Sequence, residues 1–78
     1  MNMSSSNDIK NQIIQALSHP EADEGLYFRN LYNLHEEDER KAVNGTQEEI
    51  LEALKELLDE GKVLASDEGP EMVFRLPQ

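Results

Sequence analysis

The stretch TQEEILEALKELLDEG, residues 46–61, decides the fold. Thr46 followed by Glu49 is a capping box, in which each side chain accepts a hydrogen bond from the other residue's backbone N–H. Ile50, Leu54, Leu57 and Leu58 recur at helical spacing, flanked by Leu51 and Ala53. That pattern predicts one apolar stripe that must be buried. Glu48 and Glu49 fall in the first turn, at the positive end of the helix dipole. Glu48–Glu52 and Glu52–Glu56 are like-charge pairs one turn apart and cost a little. Gly61 stands where a left-handed C-terminal cap belongs.

Past Gly61 the pattern changes from helix to strand. Residues 62–66 (KVLAS) and 72–76 (MVFRL) read as two strands, with Met72, Phe74 and Leu76 alternating onto one face. Asp67, Glu68, Gly69, Pro70 and Glu71 form a polar, turn-rich tip between them. A lone hairpin is unstable in water, so Met72, Phe74 and Leu76 are expected to lie over the helical stripes.

Toward the N-terminus, Ile9, Ile13, Ile14 and Leu17 share helical spacing with Ala16 beside them, which predicts a helix over residues 6–18. Ser5 and Asp8 resemble a weaker capping box. Pro20 disfavours the helical conformation at His19 and stops that helix. Residues 20–25 are a polar loop, and Leu26, Tyr27 and Phe28 are suited to one short edge strand. Leu31 and Leu34 suggest a short second helix from near Arg29. Residues 35–41 (HEEDERK) contain no apolar side chain and read as either an exposed helix extension or a solvated loop. Ala42 and Val43 return the chain to the core before Asn44 and Gly45 break it.

This element order resembles a winged-helix domain. The resemblance rests on two stretches. One runs Ile50, Leu51, Leu54, Leu57, Leu58, Gly61, Val63, a third helix leading straight into a hairpin strand; the other is the returning strand Met72–Leu76. It covers residues 6–77 and implies an α+β fold: a three-helix helix-turn-helix core with a small antiparallel β-hairpin wing. The segment Leu26–Phe28 fits the third strand of such a sheet. Residues 1–5 are expected to form a disordered tail and residues 6–78 a single domain.

Composition narrows the function classes. A 78-residue chain supports one domain, and at this size only ~60% of the unfolded surface is buried. There is no cysteine, which removes disulfides, thiolate nucleophiles and cysteine zinc sites. The N-terminus lacks the basic and apolar regions of a signal peptide, and no apolar run is long enough to span a membrane. A cytoplasmic location is expected. The net charge is −10, from 17 acids against 7 bases. Such a field repels nucleic acid and anionic lipid and favours a basic partner.

Catalytic motifs are missing. Residues 35–39 begin like the zinc protease pattern His-Glu-x-x-His but have no second histidine. Glu36–Glu39 match no calcium-loop spacing, and neither a nucleophile elbow nor a phosphate-binding glycine loop occurs. No enzyme activity, cofactor or metal is expected.

In winged helices that bind DNA, the third helix enters the major groove and the wing touches the backbone. Carried onto this chain, the resemblance makes Gln47, Glu48, Glu52, Lys55 and Glu56 the reading face, and Asp67, Glu68 and Glu71 the wing. Apart from Gln47 and Lys55 these residues are acidic, where DNA-binding modules are basic. Residues 46–60 carry six acids (Glu48, Glu49, Glu52, Glu56, Asp59, Glu60) and the single base Lys55. The function expected is therefore a non-catalytic interaction module that binds a protein partner through this acidic surface. The alternative is a DNA-binding transcriptional regulator of unusual negative charge. For that alternative, Arg29, Arg40 and Lys41 form the one minor basic spot, unless they pair with neighbouring acids. Tyr27 and Tyr32 are further candidates for interface anchors.

Overall fold

The computed structural model describes residues 5–67 and 69–77. Helix α1 spans Ser5–Ser18, and a single 3-10 turn follows at Pro20–Ala22. Strand β1 is Leu26–Tyr27, helix α2 is Arg29–Tyr32, helix α3 is Gln47–Asp59, and strands β2 and β3 are Leu64–Asp67 and Met72–Arg75. The fold is α+β, three helices beside a three-stranded antiparallel sheet of order β1-β3-β2. Of the expected N-terminal tail, residues 1–4 lie outside the described residues. Ser5 already belongs to α1 rather than standing before it as a cap.

Helices α1 and α3 pack against each other through the stripes that their sequences display. Ile9, Ile13, Ala16 and Leu17 of α1 meet Ile50, Ala53, Leu54 and Leu57 of α3 in one buried cluster, which Ala22, Leu26, Leu31, Val43, Val63 and Phe74 complete. Ile13 and Ile50 are 0% exposed, so the two stripes define the centre of the core.

The end of α3 shows why the hairpin starts where it does. Glu60 caps the helix, and Gly61 follows at φ 76°. The Gly61 N–H donates to the Leu58 carbonyl and the Lys62 N–H to the Leu57 carbonyl. This is a Schellman closure, which needs a left-handed residue at Gly61. It occupies Lys62 and points Val63, 1% exposed, into the core. Strand β2 therefore begins at Leu64 rather than at Lys62 as the sequence suggested.

In the sheet, Leu26 of β1 pairs with Phe74 of β3, and both are buried against the helices. Their neighbours Tyr27 and Val73 pair on the opposite, outer face, joined by Ser66 of β2. Gly25 (φ 96°) makes room for this approach, because a Cβ there would collide with the Val73 side chain and lie 3.1 Å from the Phe74 carbonyl.

Two expectations need correction. Met72 shares a face with Phe74, but it sits opposite Asp67 at the hairpin tip, beyond the reach of the helices, and is 43% exposed. Helix α2 is a single turn, so Leu34 falls outside it. Of the two readings left open for residues 35–41, the structure takes the loop: residues 33–46 form one long loop, held to α2 by the Val43 N–H bond to the Leu31 carbonyl at 2.7 Å.

Candidate interaction surface

Helix α3 presents the acidic surface. Its start is fixed by the capping box: the Glu49 N–H donates to Thr46 Oγ1 at 3.0 Å, and the Thr46 N–H donates to Glu49 Oε1 at 2.9 Å. Glu49 is thereby committed to the helix end. With its buried stripe turned to α1 and the sheet, α3 leaves Gln47, Glu48, Glu52, Lys55 and Glu56 exposed.

One flank of this surface is neutralised. Lys10 of α1 reaches across with Nζ 2.8 Å from Glu56 Oε1 and 3.1 Å from Glu60 Oε2. The Glu56 and then the Glu60 hydrogen bond hold the Lys10 ammonium above its ordinary value. The Lys10 bond in turn holds the Glu60 carboxyl below its own. At 100° per residue, Glu48, Glu52, Lys55 and Asp59 fall within an arc of roughly 60° on the solvent side. All four are exposed. Leu51, 40% exposed, borders this arc. Three acids, one lysine and one uncovered leucine thus share the outer side of α3.

The wing residues behave differently from the helix. Asp67 ends β2 and is exposed. Glu71 is half-buried and paired with Arg29. Glu68, also expected on this surface, lies outside the described residues.

The three bases of the expected basic spot go separate ways. Arg29 stacks over the Tyr27 ring, 5.1 Å from its centroid, and pairs with Glu71. Arg40 is buried: Nη1 lies 2.9 Å from Glu21 Oε1, and Nη2 donates to the Asn30 carbonyl at 3.0 Å. From the 36–39 acidic run it forms an ion pair with Asp38, at 3.7 Å. Lys41 is exposed.

Sequence reasoning missed Glu21. Its carboxylate accepts from the Glu39 N–H at 2.8 Å, from the Arg40 N–H at 3.3 Å and from Arg40 Nη1. The Glu39 N–H, followed by the Arg40 N–H and guanidinium, holds this carboxyl below its ordinary range. No local signal marks the pair, because its members are far apart in sequence. His35 serves a turn, its N–H donating to Asp38 Oδ2 at 2.8 Å.

A cleft of about 570 Å³ between α1 and residues 39–44 is lined by Asp8, Gln12, Ala16, His19, Lys41 and Ala42 among others. The Asn44 N–H bond to Gln12 Oε1 crosses there. Among the described residues, no group of three or more His, Asp or Glu side chains could hold a metal ion. No described helix is long and apolar enough to cross a membrane. Compared with family models, curated proteins and solved structures, the chain finds no match.

Proposed function

We propose that this chain is a non-catalytic, winged-helix-like interaction module that docks a basic segment of a protein partner on the outer side of α3. The observation that carries this function is the arc of Glu48, Glu52 and Asp59 bordered by the exposed Leu51. Exposed carboxylates steer a cationic partner into contact. An uncovered leucine beside them offers a desolvated anchor, which charge alone does not supply. A basic amphipathic helix has the matching chemistry. The winged-helix resemblance is supported by the three helices, the hairpin and the pairing of β1 with β3.

DNA binding draws no support from these side chains. Phosphate contacts need clustered free cations, whereas Arg40 is buried, Lys10 and Arg29 are already paired, and the exposed Lys41, Lys55 and Arg75 stand on three separate segments: the long loop, α3 and β3.

Amide NMR of the labelled chain, titrated with a lysine- and leucine-containing helical peptide, tests the function. Shifts along Glu48, Leu51, Glu52 and Lys55 are expected. The same shifts on mixed-sequence duplex DNA, with none on the peptide, would replace it with the regulator function.

A further inference from the structure

The sheet sets up a second surface, independent of α3. The order β1-β3-β2 leaves β2 at an edge. In an antiparallel pair, alternate residues turn their N–H and C=O groups toward the partner strand, and the others turn them away. Among the described residues, no hydrogen bond outside the sheet reaches the backbone of Leu64–Asp67. The opposite edge, β1, has only two residues and offers little to pair with.

Natural edge strands are blunted by shortness, by charged side chains, by Pro, by bulges or by a covering element. Within its four residues β2 has no Lys, Pro or bulge, and its one charge is Asp67 at the tip end. Its sequence is Leu-Ala-Ser-Asp, its register with β3 is unbroken from Leu64 to Asp67, and every residue except the half-buried Ser66 is exposed. Leu64 is 44% exposed, pairs with Arg75 on the outer face and is not part of the core.

We propose that the β2 edge is a docking site for an extended segment of a protein partner, which adds to the sheet as a fourth strand. Backbone pairing supplies the affinity in this mode, and alternate side chains supply the choice of partner. The only charge within β2 is Asp67, and the whole chain carries −10, so the entering segment is basic. Leu64 and Asp67 are three residues apart and face opposite sides of the sheet. The segment therefore carries an apolar residue beside Leu64 and a Lys or Arg beside Asp67, also three residues apart. A second copy of the chain would bring its own −10 to the contact and is disfavoured.

The test uses the full labelled chain and a short peptide of alternating valine and lysine. A second peptide has every other amide N-methylated, which keeps charge and side chains but removes strand donors. Binding of the first peptide is expected to shift and slow the exchange of amides within residues 64–67. The methylated peptide is expected to bind roughly tenfold more weakly, as the loss of one or two hydrogen bonds implies. Leu64→Lys, at an exposed position, is expected to weaken the first peptide while leaving the rest of the spectrum unchanged. Equal binding of the two peptides, or no binding of either, would overturn strand addition. So would protection of β2 that rises with protein concentration alone, which would assign the edge to a second copy. Shifts confined to α3 would overturn the β2 site and leave the α3 function standing, and shifts confined to β2 would do the reverse.

Discussion

Arg40 and Glu21 form a part-buried tether: Arg40 Nη1 donates to Glu21 Oε1 at 2.9 Å, with the Arg40 side chain only 5% exposed and the Glu21 side chain 26% exposed. Because Glu21 also accepts from the Glu39 and Arg40 N–H groups, the pair pins the long loop to the turn after α1. Removing Glu21 leaves the buried Arg40 charge without that partner, whereas removing Arg40 leaves a partly exposed carboxylate that water can solvate. Glu21→Gln is therefore expected to lower the urea midpoint. Arg40→Met added to it is expected to cost less than the sum of the two single changes. Additive midpoint shifts in the double-mutant cycle would rule out a direct coupling.

The same carboxylate gives a pH dependence of known sign. Its folded value lies below the ordinary 4.5, mainly through the Glu39 N–H. Its contribution is thus present above the unfolded value and lost as pH falls through the folded value. Urea midpoints measured downward from pH 6 should drop below about pH 4.5, with a smaller drop in Glu21→Gln. For Lys10 the sign is reversed. Its folded value lies above 10.5, so its contribution is complete below that pH and fades above it.

Leu54 is 1% exposed at the junction of the two helical stripes. Leu54→Ala should cost about 2–5 kcal/mol, against a total of roughly 4–12 kcal/mol at ~0.05–0.15 kcal/mol per residue. Thermal unfolding followed by circular dichroism should show a large fall in Tm. An unchanged Tm would mean that α1 and α3 do not pack as described.

At the start of α3, Thr46→Ala removes one side of a reciprocal cap. A loss of about 1 kcal/mol is expected, readable in the urea midpoint. Gly25→Ala combines strained backbone with a collision at Val73, so it should destabilise the pairing of β1 with β3. Faster amide exchange at Leu26 and Tyr27 would report that.

Helix α3 was legible because periodicity, the Thr46 cap and the Gly61 stop agree on the same boundaries, and α1 because its stripe and the Pro20 stop do, although Ser5, the expected cap, already belongs to it. The hairpin was legible in order but not in extent. The Schellman closure takes Lys62 and Val63 out of β2, and a period-two pattern carries no information about that closure. Met72 fits the alternation and still lies in solvent, because alternation fixes a face but not where the helices end beneath it. Arg40 was the hardest to see. A base within an acidic, wholly polar run looks solvated, and only the fold brings Glu21 to it. Of the candidate surface, the α3 residues lie on one exposed side as their spacing requires, whereas Glu71 is drawn to Arg29 by a contact across the chain.

The most direct measurement is the affinity of a fluorescent, lysine-rich amphipathic peptide for the intact chain, compared with a chain carrying Glu48→Lys, Glu52→Lys and Asp59→Lys. All three positions are exposed, so the fold should persist. Docking on α3 predicts saturable binding that weakens with salt and falls by roughly tenfold or more in the charge-reversed chain. Binding of equal strength to both chains, or none to either, would contradict it.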